Sequence, residues 1–441
     1  MENMENMEPQ EVRRPNPRRK KRSPFKRFIR AYLPLLVVVV LIILFIVFAV
    51  GSVKRANEKR EQARQESLAV ASSIAQQQFE WESEALAKIA ESEKYAAACE
   101  YDKAIAVLDT FSGNLYDFDN LVLCRQGYQD AESKLVPWED PRTVPFLSFS
   151  KLIADPVTGF GGTNGSDNRY SYISTAEFTA ILQQLFDNGF MLVDLDDIFT
   201  TTKAEDGTTL IVKNELKLPA GKKPIVLIQC QPSGYENALV LKEDGSFATK
   251  MTPEGGESYE GSYDFVPLLE DFIASHPGFS LRGARAVLAL TGNNGLFGYP
   301  LEDTANITAV VNALKEKGYT LASNTYSNAR YGKISLLEMQ EDIANWENLV
   351  KPLLGETEIL AYARSSDISD SKESYNSTKY EKLYVAGFRY YMGICYNSNP
   401  WMNITDNTIR MGRIMVTGNG LKESASLYAN LFDASAVYGA K

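Results

Sequence analysis

Short apolar runs alternate with helix-length stretches over roughly 300 residues of this chain, and no other feature restricts its fold as tightly. Candidate strands lie at 144–149 (VPFLSF), 190–195 (FMLVDL), 224–230 (PIVLIQC), 286–291 (AVLALT), 319–323 (YTLAS), 358–362 (EILAY) and 388–395 (FRYYMGIC). Candidate helices lie at about 175–188, 264–275, 302–317, 334–350 and 377–385. Strands separated by helices of this length point to a largely parallel sheet covered by helices. A closed eight-stranded barrel and an open doubly wound sheet both fit the pattern. No GxGxxG or GxxxxGK follows any of these strands, so the sequence gives no reason to expect a nucleotide.

In either architecture ligands meet the C-terminal edge of the strands. Those edges carry Ser150, the group Asp194, Asp196 and Asp197, then Cys230 and Gln231, then Thr291, Asn293 and Asn294. Ser323 and Asn324, Tyr362, and Tyr396 with Asn397 complete the set. It is polar, yet few of its groups titrate near neutrality. The whole chain holds one histidine, His276, in FIASHPG at a predicted helix end. Most hydrolytic zinc sites and Ser-His or Cys-His nucleophiles need imidazole as ligand or base, so those routes are closed to it. Cys230 as a nucleophile would lack its histidine. The three aspartates read as a solvated loop and helix cap; a metal site built from Asp194, Asp196, Asp367 or Asp370 is not demanded by their spacing. Cys99, Cys124, Cys230 and Cys395 match neither a zinc knuckle nor a CxxC pair. Disulfides Cys99–Cys124 and Cys230–Cys395 and four free thiols all remain open.

The N-terminal region reads differently. Residues 31–50 (AYLPLLVVVVLIILFIVFAV) are uncharged, and twenty residues of helix span about 30 Å, the thickness of a hydrocarbon core. Ten Lys or Arg precede them, from Arg13 to Arg30, which predicts a cytoplasmic N-terminus and a translocated C-terminal body. A cleaved signal peptide is the alternative; its apolar region is usually shorter. The expected partner of 31–50 is therefore the lipid bilayer, in a single-pass membrane topology. Acids outnumber bases 56 to 46, and the arm at 1–30 concentrates ten of those bases, so the remaining body is strongly acidic. Such a body has no electrostatic reason to bind nucleic acid. Residues 53–108 lack Pro and Gly and read as continuous helix; a second helix, about Tyr116 to Leu135, makes a hairpin or spacer over 53–137.

From Pro145 onward the chain resembles the polysaccharide deacetylase (NodB-homology, carbohydrate esterase 4) family, in a membrane-anchored branch with a helical hairpin before the domain. That resemblance implies a distorted (β/α)7 barrel over 144–441 and, in active members, one divalent metal, usually zinc, that serves removal of acetyl groups from glycans. It also assigns positions. In PIVLIQCQPSGYEN, Cys230 stands where the base aspartate would be, Gln231 where a ligand aspartate would be, and Tyr235 matches a tyrosine of the branch. In LASNTYSN, Asn324 and Asn328 occupy both histidine-ligand positions. The wall motif reads Tyr362-Ala363-Arg364-Ser365, and Phe146 and Ser150 replace the histidines expected on the first strand. Neutral amides bind zinc weakly and do not offset its charge, and no carboxylate is left to take the proton of a water. The resemblance therefore implies no catalytic residue, no metal and no cofactor, in a membrane-anchored protein that binds cell-wall glycan or another envelope protein. The alternative is an active hydrolase with a non-standard site. Tyr235, Asn293, Asn294, Tyr362 and Trp401 are the expected groove-lining residues, with Arg410 and Arg413 as a salt-bridged rim.

Overall fold

The computed structural model describes residues 37–39, 41–42, 64–231, 237–252, 256–372 and 375–440. The chain divides into two compact units, Met1–Ser83 and Glu84–Lys441. In the first, the described part is mainly the beginning of a 34-residue helix, Arg64–Ala97, whose sequence carries charged and amide side chains throughout. No helix among the described residues is long and apolar enough to cross a membrane. This overturns the expectation of a spanning helix at 31–50, and with it the membrane-anchored branch, the bilayer as partner and the single-pass topology with a cytoplasmic N-terminus. Length had been the argument for that helix, and only residues 37–39, 41 and 42 of the run fall among the described residues. The long helix that is described has too many charges to replace it.

In the second unit, apolar runs become strands and amphipathic stretches cover them. The strands are β1 (Phe146–Phe149), β2 (Phe190–Leu192), β3 (Lys223–Cys230), β4 (Val287–Leu290), β5 (Thr320–Ser323), β6 (Ile359–Ala361), β7 (Tyr390–Ile394) and β8 (Ile409–Met415). Seven of them pair in parallel as a closed ring, in the order β4-β5-β6-β7-β8-β1-β3 and back to β4. The eighth, β2, stands outside the ring and pairs with the first three residues of β3. The result is a distorted parallel barrel surrounded by helices. Its period-two alternation separates two cores. Val226, Ile228, Ala289, Ala322, Ala361, Met392 and Met411 fill the barrel. Ile225, Leu227, Leu288 and Leu290 face outward and pack with Phe178, Ile181 and Leu185 of the helix Thr175–Asp187. That helix starts at a capping box, with Ser174 and Glu177 each accepting a backbone N–H at the other's position.

The described region before the barrel, from residue 64, is helical. Arg64–Ala97 stops short of Cys99, which adopts φ 60°, and Tyr95 O accepts both Ala98 N (3.1 Å) and Glu100 N (2.9 Å). Separate helices follow at Tyr101–Asp109 and Asp119–Ser133. Cys99 and Tyr101 join the interior core, and Arg282 N donates to Ala98 O at 2.6 Å just ahead of β4, so this region closes the N-terminal end of the barrel. Two antiparallel additions also interrupt the strand–helix alternation: a hairpin of Phe199–Lys203 with Thr209–Lys213, and a three-stranded sheet of Asn237–Leu241, Phe247–Met251 and Tyr259–Gly261. All four cysteines are free thiols.

Candidate functional site

The open face of the barrel is built from loops under backbone strain. Eight non-glycine residues among those described have positive φ, and six follow β3 to β6: Gln231, Phe297, Thr325, Asn328, Arg364 and Ser365. Left-handed backbone is unfavourable for most L-residues, by about 1–3 kcal/mol at non-glycine positions, and persists only where neighbours fix it. Here the fixing groups are identifiable. Gln231 N donates to Ala289 O at 2.8 Å, and Thr325 Oγ1 accepts Ala329 N at 2.7 Å. Asp342, 5% exposed, accepts Tyr326 N at 2.7 Å, Ser327 N at 3.0 Å and Tyr331 Oη at 3.1 Å, and also the Ser327 hydroxyl. Tyr326 O in turn receives Gly292 N (2.8 Å) and Asn293 N (3.0 Å), which ties the loop after β4 to the loop after β5. Gly292 is required at this junction, because a Cβ would stand 2.2 Å from Val350 Cγ2.

Between these loops lies a cavity of about 360 Å³. Gln231, Asn293, Asn294 and Asn328 present amides to it, Tyr172, Thr291 and Ser327 hydroxyls, and Lys151 and Arg364 positive charge. Among the described residues no carboxylate or thiol lines it. Of the residues that the sequence places at metal or base positions, the structure brings Gln231 and Asn328 to this cavity and buries the other two. Asn324, 2% exposed, donates its amide to Ala361 O at 2.7 Å. Cys230 faces the barrel interior, where Arg413 Nη1 donates to its Sγ at 2.6 Å and Ser148 Oγ lies 3.5 Å away. Arg413 is 1% exposed, also donates to Tyr362 O, and forms no ion pair among the described residues.

This donor set does not fit a divalent metal. Two neutral amides line the cavity, the third is spent on a backbone carbonyl, and the one soft ligand is already held by a buried guanidinium that would repel a second cation. Among the described residues no cluster of three or more His, Cys, Asp or Glu is arranged to hold a metal ion. After dialysis of the full chain against micromolar zinc and removal of free metal, less than about 0.1 equivalent is expected to remain bound. Near-stoichiometric retention would demand a ligand set outside these residues.

The other sequence candidates scatter. Tyr235 lies outside the described residues. Tyr362 is fully buried, its ring stacked on Tyr391 with centroids 6.5 Å apart. Trp401 lines a second cavity of about 410 Å³ with exposed Tyr396, Lys372, Asp367 and Arg410. Arg410 does pair with Asp367, at 3.2 Å, and sits 3.7 Å over the Tyr375 ring. Trp401 in turn covers Gly412, where a Cβ would come 2.1 Å from its Nε1. Asp194, Asp196 and Asp197 are absent from the barrel mouth because β2 is displaced toward the start of β3. Asp194 accepts Arg285 N (3.0 Å) ahead of β4, Asp197 pairs with Arg282 (2.6 Å), and the two form a capping box on Leu195–Ile198. His276 closes the helix Phe265–Ser275, stacked at 4.3 Å on Phe272 with Nδ1 3.1 Å from Phe272 O. Sequence reading did not single out Lys151, Tyr172 or Asp342 for this site. Lys151, directly after an expected strand edge, was the one with a usable positional signal.

No family model matches the chain, and no curated protein matches it. Among solved structures, it is similar to the Streptococcus pyogenes deacetylase PplD in complex with acetate, at 11% identity and a TM-score of 0.35, over 66% of this chain and 99% of that one. At that score the chemistry of the site rests on this chain's own residues.

Proposed function

We propose that this chain is a non-catalytic binding protein whose barrel mouth holds a hydroxyl-rich ligand of the oligosaccharide class. The convergence of Gln231, Asn293, Asn294 and Asn328 on one cavity, with no carboxylate among its described lining residues, carries this reading. Each amide offers a carbonyl acceptor and two N–H donors, the pairing that sugar hydroxyl and acetamido groups require. Strain at Gln231 and Asn328 supports it, since costly backbone held by surrounding structure accumulates at ligand sites more than at passive loops. The described lining residues offer hydrolysis no base near neutrality, and the Cys230 thiol is turned into the core.

Isothermal titration of the full chain with chitotetraose tests the proposal. Binding is expected, with the Gln231→Ala/Asn328→Ala double variant weakened by about tenfold through two lost hydrogen bonds. No acetate release is expected over the same incubation. Unchanged affinity in the double variant would place any binding elsewhere on the molecule, and steady acetate release would refute the non-catalytic reading.

A further inference from the structure

We infer that the ligand of the barrel mouth carries an anionic oxyacid group, a carboxylate or a phosphate, which Lys151 and Arg364 grip from opposite sides. The inference rests on the mouth being a ligand site, and adds the charge of what occupies it. In the ring order β4-β5-β6-β7-β8-β1-β3, the strands β6 and β1 are as far apart as a seven-membered ring allows. Arg364 follows β6 and Lys151 follows β1, so the two cations face one cavity from separate walls.

Among the described residues neither cation is held in an ion pair. Lys151 lies 5.2 Å over the Tyr172 ring and acts on buried Asp264 only through the field, without an ion pair. Arg413 adds a third positive charge beneath Gln231, inside the barrel and without an ion pair among the described residues. Low-dielectric walls extend the reach of such charges into a cleft. The nearest acids are committed elsewhere. Asp342 accepts from the Tyr326, Ser327 and Tyr331 donors. Asp264 accepts Leu152 N (3.2 Å), Gln229 Nε2 (3.2 Å) and Phe265 N (2.8 Å), and burial pushes it up to about 6.

Composition runs the other way, because acids exceed bases 56 to 46 in the chain, and a cavity whose described lining holds two cations and no acid departs from that background. Arg364 is held at φ 47°, so its direction over the mouth is set by strained backbone. Its planar fork matches the two oxygens of a carboxylate or phosphate.

Titration of the full chain with four probes tests this: chitotetraose, a hyaluronan tetrasaccharide bearing glucuronate, N-acetylglucosamine, and N-acetylglucosamine 6-phosphate. At least one acidic probe is expected to bind about tenfold tighter than its neutral counterpart (chitotetraose, or N-acetylglucosamine for the phosphate) near 50 mM salt. That advantage should shrink at about 500 mM salt, where screening is strong. Arg364→Gln with Lys151→Gln is expected to abolish the advantage of the acidic probe over its neutral counterpart. Which acidic probe wins names the anion. Equal binding of neutral and acidic probes, or a preference that survives both substitutions, overturns this inference alone. Failure of every probe to bind overturns the ligand-site reading as well.

Discussion

Asp342→Ala is expected to cost about 4 kcal/mol of stability and to abolish ligand binding at the barrel mouth. One buried carboxylate accepts from Tyr326 N, Ser327 N, the Ser327 hydroxyl and Tyr331 Oη. Its removal leaves two backbone donors and a buried phenol unsatisfied, and an unmet bond to a charged acceptor costs about 1–3 kcal/mol. The damage spreads because Tyr326 O holds Gly292 N and Asn293 N, so the loops after β4 and β5 lose their common anchor. Asp342→Asn separates the two effects. It keeps one oxygen acceptor, and is expected to lose roughly half as much stability while placing an N–H against a donor. Urea denaturation monitored by tryptophan fluorescence, together with chitotetraose titration, checks both variants. A loss of under about 1 kcal/mol for Asp342→Ala would show that the loops are held by something other than this carboxylate.

Stability is expected to rise as pH falls from 8 to 5, by roughly 3 kcal/mol. Burial, with further repulsion from Asp197 and Asp196, pushes Asp194 up to about 7, and burial pushes Asp264 up to about 6. Both values lie above the ordinary carboxylate value near 4, so the folded chain binds more protons than the unfolded chain between about pH 4 and 7. Their stabilising contribution is complete below that ordinary value and is lost as pH rises through 6 and 7. Glu177 acts in the opposite sense: burial raises it, but hydrogen bonds from Arg169, Gly439 and Ser174 bring it below its ordinary value. Its contribution is present at neutral pH and is lost in stronger acid. Denaturant midpoints measured between pH 4.5 and 8 should therefore fall with rising pH. Asp194→Asn, which keeps an acceptor for Arg285 N, should flatten the slope. A midpoint that climbs from pH 5 to 8 would contradict the burial of both carboxylates as described.

Six of the seven ring strands, β2 outside the ring, and the main covering helices coincide with runs that the sequence displays, because a barrel strand buried on both faces is written as continuous apolar residues. The run at β8 was not legible that way. Arg410 and Arg413 break its apolar pattern, and both are buried, one paired with Asp367 and the other set against Cys230 inside the barrel. The extra sheet at Asn237–Gly261 also escaped, since antiparallel pairing depends on turns and partners more than on period. At the site, Gln231, Asn293 and Asn294 are visible because they follow strand ends, and Asn328 only through the family resemblance. Asn324 and Tyr362 follow strand ends too, yet both are buried, since position along the chain does not say which way a side chain turns.

The sequence by itself determined the scarcity of imidazole, the amides in place of acidic and histidine ligands, and the strand–helix alternation, all of which are matters of composition and local pattern. Tertiary structure decided the rest. Register moved β2, and its aspartates with it, away from the barrel mouth. Ring closure brought Lys151 and Arg364, more than two hundred residues apart, to one cavity. It also turned Cys230 inward against Arg413. Those outcomes depend on which strands pair and how far each slides along its neighbour, and a one-residue slip reverses every side chain on a strand.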